Sequence, residues 1–97
     1  MAERARILFF GEPVTAAHVV RPLELARGLD RARFEVALAT AGDYARYAEA
    51  AVVPTRPLWS VGGERFLAAV AAGRPVFSAE DLERAVADDL AHIEAFA

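Results

Sequence analysis

Four apolar residues in succession, Ile7-Leu8-Phe9-Phe10, run directly into Gly11-Glu12-Pro13. A run without polar alternation is typical of a strand buried on both faces of a parallel sheet, and glycine and proline end it. Helical spacing of apolar residues from Val19 to Leu29 and a second apolar segment, Arg33 to Thr40, then complete a strand–helix–strand unit. The sequence therefore predicts an α/β fold with parallel strands and a right-handed crossover.

The middle of the chain predicts two short helices around a third strand. Asp43 is the expected N-cap of the first helix. The two prolines in the segment from Val52 to Trp59 favour extended backbone, so a short strand is expected there. Apolar spacing from Glu64 to Ala72 indicates an amphipathic helix, which Gly73 ends.

The last segment predicts a helix that begins at Ser78. Ser78 and Asp81 have the spacing of a capping box, with aspartate in place of the usual Glu or Gln. The apolar positions of this helix are expected to face the core: Leu82, Val86, Leu90, Ile93 and Phe96.

The predicted fold is an incomplete Rossmann-like doubly wound parallel sheet, and residues 1–97 form one partial domain. The last helix reaches Ala97 with no strand after it for its apolar residues to cover, whereas a doubly wound sheet would continue. Although 56% of the residues are hydrophobic, alanine is the commonest of them and adds little bulk. The core is therefore expected to be thin.

Composition excludes several classes of function. The 11 basic residues are all arginine and are scattered singly, and the formal net charge is −3, so no nucleic-acid-binding stripe is expected. With no cysteine, the chain has neither a disulfide framework nor a thiolate metal site. The apolar run Ile7–Phe10 is far shorter than the roughly 20 residues of a membrane span, and no signal peptide is recognisable. We expect a cytoplasmic protein without a membrane span.

His18 stands where the loop after the first strand meets the crossover helix. Ligands of open α/β sheets bind at the carboxyl ends of the strands, the edge at which this loop lies. The positive end of a helix dipole favours the neutral imidazole, which can accept a proton. His18 is therefore a candidate general base; the alternative is a histidine that only packs or hydrogen-bonds locally.

Other polar residues are weaker candidates. Glu12 lies in the same loop and is a candidate to contact a substrate or to hydrogen-bond His18, although a lone loop glutamate is more often a solvated surface group. His92 and Asp88 have a spacing that fits a metal site, but a helical salt-bridge pair is the favoured interpretation. The first loop matches neither G-x-G-x-x-G nor the P-loop. We assign no metal and no cofactor to this chain.

The stretch from Arg6 to Asp30, RILFFGEPVTAAHVVRPLELARGLD, resembles the first strand, loop and helix of GT-B glycosyltransferases of the UDP-glycosyltransferase and macrolide-glycosyltransferase type. In that family a Gly-His-x-x-Pro pattern follows strand one, and His18 occupies the histidine position. The resemblance implies an inverting transfer without a required metal: His18 takes the proton of an acceptor hydroxyl, which attacks the anomeric carbon of a nucleotide-sugar donor. It implies a small-molecule acceptor as the binding partner.

The resemblance also implies that this chain is the N-terminal, acceptor-binding part of such an enzyme. The carboxylate that orients the histidine and the C-terminal donor-binding domain would then lie beyond it. The isolated chain is therefore expected to be inactive. Its partner would be the remaining part of the glycosyltransferase or a second copy of itself.

Two positions depart from the family pattern. Ala17 replaces the glycine before His18, and the proline comes one residue late, at Pro22. Because proline is tolerated only in the first turn of a helix, the regular helix is predicted to begin near Val20 or Arg21. His18 would then lie in the loop.

Trp59 and Phe66 flank the segment Ser60-Val-Gly-Gly63. In the resembling enzymes such variable loops line the acceptor cleft with apolar surface, so Trp59 is a candidate acceptor-binding residue, with core packing as the alternative. Phe66 is assigned to the core because it shares a helical register with Val70.

Two different interpretations compete with the glycosyltransferase fragment. The first is a small non-catalytic α/β module that folds or binds against a partner chain through its open sheet edge and its last helix. The second is a response-regulator receiver, which needs an acidic pair after strand one and an aspartate after strand three. Only Glu12 follows strand one, and this disfavours the receiver.

Overall fold

A computed structural model describes residues 3–97 and shows an α/β fold built on a three-stranded sheet. The strands are β1 (Ala5–Phe10), β2 (Phe34–Thr40) and β3 (Thr55–Pro57). The helices are α1 (Ala16–Arg27), α2 (Ala45–Ala50), α3 (Gly63–Ala72) and α4 (Ala79–Phe96), and a 3-10 turn at Gly42–Tyr44 leads into α2.

The sheet is parallel, with the order β1-β2-β3. This arrangement confirms the predicted strand–helix–strand unit and is that of a partial Rossmann-like fold. The prediction that the first strand is buried on both faces was wrong. Because β1 has a paired neighbour on one side only, Ile7, Leu8 and Phe9 are half-buried and Phe10 is 36% exposed.

One face of the sheet carries the apolar core. Val36 and Leu38 of β2 pack there against α1 and the segment around α2, in a cluster that includes Val19, Leu23, Ala26, Ala48 and Val53. The opposite face is more polar, since the strand register places Arg6 beside Glu35 and Arg56 beside Ala39. Arg6 and Glu35 form an ion pair of 2.9 Å on that face. One face of the sheet is therefore suited to apolar packing, and the other to a helix that offers polar side chains.

Helix α4 packs through its polar face, contrary to the sequence prediction. Four of the five apolar residues predicted to face the core, Leu82, Val86, Leu90 and Ile93, are 49–56% exposed. Phe96 is buried as predicted, together with His92. The polar sheet face explains this orientation. Arg56 donates a hydrogen bond to His92, and the guanidinium of Arg6 lies 4.3 Å from the centre of the Phe96 ring.

Local signals at the helix ends gave mixed results. The capping box is confirmed: the Ser78 hydroxyl accepts from the Asp81 N–H, and the Asp81 carboxylate accepts from the Ser78 N–H. Asp43 is not the N-cap of α2, because the 3-10 turn extends the helical segment and moves that position to Tyr44. In α3, Phe66 is half-buried, but Val70 is 59% exposed.

Candidate functional site

Helix α1 crosses the carboxyl end of β1 at very close range. A side chain on Gly11 would place its Cβ 3.2 Å from the Cα of Val19 and 3.3 Å from the carbonyl oxygen of His18. Such contacts are tighter than ordinary packing, so glycine at this position allows the start of α1 to lie against the strand end. His18 is thereby held at the edge where α/β sheets bind their ligands.

The predicted start of α1 near Val20 was wrong. The helix begins at Ala16 with Thr15 as its N-cap, and Pro22 lies inside it. Proline there lacks the N–H that would bond to the carbonyl of His18, four residues earlier. The helix continues despite this missing bond, because Val19, Leu23 and Ala26 bury one of its faces. His18 therefore lies in the first helical turn, and it is exposed.

Two neighbours define the position of the His18 ring. The hydroxyl oxygen of Thr15 lies 2.5 Å from Nδ1 of His18. The ring of Phe66 on α3 meets the imidazole edge to face, with centroids 6.0 Å apart. Among residues 3–97, no hydrogen bond reaches Nε2 of His18. The outer nitrogen is therefore the one open to a substrate.

Glu12 does not bond to His18. Its carboxylate instead accepts a hydrogen bond of 2.6 Å from the hydroxyl of Ser60, and the same hydroxyl accepts from the N–H of Gly62. This contact ties the loop after β1 to the loop after β3. A Cβ on Gly63 would lie 2.8 Å from the carbonyl oxygen of Val14, which shows how closely the two loops approach.

An open groove of about 640 Å³ lies beside these loops, at the carboxyl edge of the sheet. Its walls include Pro13, Tyr44, Arg46, Trp59 and Ser60. His18 is not one of its lining residues and opens onto a separate shallow depression with Ala17, Arg21 and Pro22. The structure thus brings Glu12 and Ser60 together but leaves His18 and Trp59 in separate pockets.

Trp59 is half-buried and held in place from α4. Its backbone N–H donates to Asp88 at 2.9 Å, and the guanidinium of Arg84 lies 4.6 Å from the centre of its ring. Asp88 also lies 3.4 Å from Nε2 of His92, whose Nδ1 accepts from Arg56. The Asp88–His92 separation lies within ion-pair range but is long for a hydrogen bond, and Nε2 has no hydrogen-bond partner. We therefore describe it as an electrostatic contact.

The described residues contain no group of three or more side chains suited to a metal ion. Asp88 and His92 are in contact, as the favoured interpretation of that pair expected, but the pair is not a salt bridge while Nδ1 of His92 accepts from Arg56. Neighbouring Asp89 has a raised pKa, first because of burial and then because of the charge of Asp88. The role of this cluster is to join α4 to the loop that carries Trp59.

Sequence reasoning missed Thr15. The available signal was a threonine three residues before His18, which is the separation of an N-cap from the third helical residue. Because the helix was predicted to begin near Val20, Thr15 was not recognised as an N-cap residue. Ser60, the partner of Glu12, lies 48 residues away from it and had no local signal.

Comparison with known proteins shows similarity to mycobacterial glycosyltransferases. Over 89 residues, 92% of this chain, it is 39% identical both to the "PGL/p-HBAD biosynthesis glycosyltransferase" of Mycobacterium tuberculosis (strain ATCC 25177 / H37Ra) and to the "Inactive PGL/p-HBAD biosynthesis glycosyltransferase" of Mycobacterium bovis (strain BCG / Pasteur 1173P2). It is 37% identical over the same length to the "PGL/p-HBAD biosynthesis rhamnosyltransferase" of the latter strain.

The matched stretch spans 20–24% of the length of these relatives. Because one of them is named inactive, the similarity over this stretch does not by itself distinguish an active enzyme from an inactive one. No protein-family model and no solved structure matches the chain. No helix among residues 3–97 has both the length and the apolar character needed to cross a bilayer.

Proposed function

We propose that this chain is the acceptor-side part of an inverting GT-B glycosyltransferase and that His18 is its general base. The similarity to glycosyltransferases over 92% of the chain supports the class of reaction. The single observation that carries the role of His18 is its placement. The ring is exposed in the first turn of α1, with one nitrogen engaged by Thr15 and the other open.

In the proposed reaction, Nε2 of His18 takes the proton from an acceptor hydroxyl. The acceptor oxygen forms a bond to the anomeric carbon of a nucleotide sugar. The bond from that carbon to the phosphate oxygen breaks, and the leaving nucleotide takes the electron pair. Attack from the face opposite the leaving group inverts the configuration at the anomeric carbon. The donor would bind in a second domain, so the isolated chain is proposed to be inactive.

The shape of the chain supports its assignment as part of a larger unit. Its radius of gyration is 14.6 Å, whereas a compact domain of this length has about 12.5 Å. Its longest dimension is 53 Å and its shortest is 16 Å. By analogy with the relatives, we propose an acceptor of the kind that PGL/p-HBAD biosynthesis uses, which contacts the groove beside Trp59 and extends to the separate depression at His18.

A chimaera tests this function. The chain would replace the matched 89 residues of the M. tuberculosis glycosyltransferase, and transfer would be measured with that relative's own donor and acceptor. We expect the chimaera to transfer sugar and the His18→Ala variant to lose about 100-fold or more in kcat, since a general base contributes that much. Glu24→Gln is the matched control, because Glu24 lies on α1, is exposed, and among residues 3–97 its carboxylate bonds to Arg27 alone. Full activity of His18→Ala would overturn the proposal.

The exposed apolar residues of α4 favour a second candidate, a non-catalytic module that binds a second copy of itself. Leu82, Val86, Leu90 and Ile93 share one face of the helix and are about half exposed, and exposed apolar surface of this kind favours association. The molar mass of the 97-residue chain as a function of concentration tests this candidate. Association that Val86→Glu abolishes would support it, and a monomer at all concentrations would exclude it.

A further inference from the structure

The N-cap residues of α1 and α4, Thr15 and Ser78, each contact the residue three positions later, but through different groups. In α4, Ser78 accepts a hydrogen bond from the backbone N–H of Asp81, three residues later. In α1, Thr15 has extended N-cap backbone, with φ −144° and ψ 160°, yet its hydroxyl makes no capping bond. That hydroxyl instead contacts the side chain of His18, also three residues later.

We infer that Thr15 is a positioning residue for His18 that fixes both the orientation and the tautomer of its ring; this inference rests on the proposed function. The hydroxyl oxygen is 2.5 Å from Nδ1, and a helix start normally uses such a hydroxyl to satisfy a free backbone N–H. The Thr15 hydroxyl therefore hydrogen-bonds to the imidazole and not to a backbone N–H of the first helical turn.

The direction of this hydrogen bond follows from the chemistry of the base. A neutral imidazole has one N–H and one lone pair. If the Thr15 hydroxyl donated to Nδ1, the exposed Nε2 would carry the proton and could not accept another. If Nδ1–H donates to the hydroxyl, Nε2 presents its lone pair to the acceptor. The imidazolium formed by proton uptake keeps the same Nδ1–H bond, so the contact persists through the reaction.

The arrangement around the ring supports this role. Phe66 packs edge to face against the imidazole, so the ring has an apolar neighbour in addition to the polar contact at Nδ1. Glu12 bonds to Ser60, and among residues 3–97 no carboxylate makes a hydrogen bond to His18. Thr15 is the group within the described part of the chain that can set the tautomer of His18, since the orienting carboxylate that the resemblance implies would lie beyond it.

Nitrogen NMR of the ring tests the inference directly. In the 97-residue chain with ¹⁵N-labelled histidine, assigned with His18→Gln, we expect a protonated Nδ1 and an unprotonated Nε2 for His18. Thr15→Val keeps the branched shape and removes the hydroxyl, so the ring should revert to the Nε2–H tautomer that an unconstrained imidazole favours. Thr15→Ser should restore the original signature. An Nε2–H tautomer in the unaltered chain, or no change in Thr15→Val, would overturn the inference.

Transfer by the chimaera separates this inference from the proposed function. We expect Thr15→Val to lower kcat about tenfold, the value of one hydrogen bond, with little change in KM, and Thr15→Ser to restore it. If His18→Ala abolishes transfer while Thr15→Val retains full kcat, the positioning role is overturned and the general base stands. If His18→Ala retains transfer, the proposed function is overturned, and the NMR signature alone still decides whether Thr15 sets the tautomer.

Discussion

One carboxylate oxygen of Asp88 accepts a hydrogen bond from the backbone N–H of Trp59 at 2.9 Å. The same oxygen lies 3.4 Å from Nε2 of the buried His92. Asp88 thus joins α4 to the loop that carries Trp59, in addition to the ring contact of Arg84. This contact adds to those of Arg6 and Arg56, which hold the polar face of α4 against the sheet.

We expect Asp88→Ala to lower the free energy of unfolding by about 1–2 kcal/mol, because it leaves the N–H of Trp59 without a partner. The fluorescence of Trp59, the single tryptophan of the chain, should shift to the red as the loop becomes more solvated. Glu94→Ala is the control, since Glu94 lies on the same helix, is exposed and makes no side-chain hydrogen bond within residues 3–97. Equal unfolding curves and spectra for the two variants would contradict this account of the loop.

The close approach of Gly63 to Val14 gives a second prediction. In Gly63→Ala the added Cβ would lie 2.8 Å from a backbone carbonyl oxygen, so one of the two loops must move. We expect a loss of about 1–3 kcal/mol in urea unfolding. Gly28→Ala is the matched control, because its nearest atom would be 3.5 Å away and its φ is −77°. A Gly63→Ala variant as stable as Gly28→Ala would show that the loops are not packed in this way.

The two N-cap residues should differ in their effect on stability. Ser78→Ala removes a true capping bond and should cost about 1 kcal/mol. Thr15→Ala removes a hydroxyl that caps nothing, so it should cost less than about half of that. Thermal or urea unfolding of both variants measures the difference. A Thr15→Ala cost equal to that of Ser78→Ala would mean that Thr15 acts as an ordinary cap.

The capping box of α4 predicts a specific pH dependence. A hydrogen bond from Arg65, followed by the backbone N–H of Ser78, lowers the pKa of Asp81 from 3.8 to about 2. Because the folded pKa lies below the unfolded value, the stabilisation is complete above pH 3.8 and is lost as the pH falls towards about 2. The stability difference between the unaltered chain and Asp81→Asn should therefore shrink over that window. A difference that is constant across the window would contradict the lowered pKa.

Local sequence signals predicted those parts of the fold that local chemistry determines. The apolar runs that form β1 and β2 and the Ser78–Asp81 capping box depend on neighbouring residues, and each lies at or near its predicted position. The start of α1 was missed because burial of Val19 and Leu23 outweighs the bond that Pro22 removes.

Contacts between distant residues could not be predicted. The apolar spacing of α4 correctly indicated a helix, but the face that packs is set by Arg6 and Arg56 on the sheet. The exposed position of His18, by contrast, could be predicted from its place at a strand end. Its absence from the groove beside Trp59 is set by the tertiary arrangement of the loops and had no local signal.

Chemical rescue of the chimaera tests the central claim most directly, namely that the imidazole of His18 accepts the acceptor proton. Transfer by the His18→Ala variant would be measured with increasing free imidazole, and with Glu24→Gln as the reference for nonspecific effects. The account predicts that transfer is lost in His18→Ala and is partly restored by imidazole in a saturable manner, while Glu24→Gln does not respond. Undiminished transfer by His18→Ala without imidazole would contradict it.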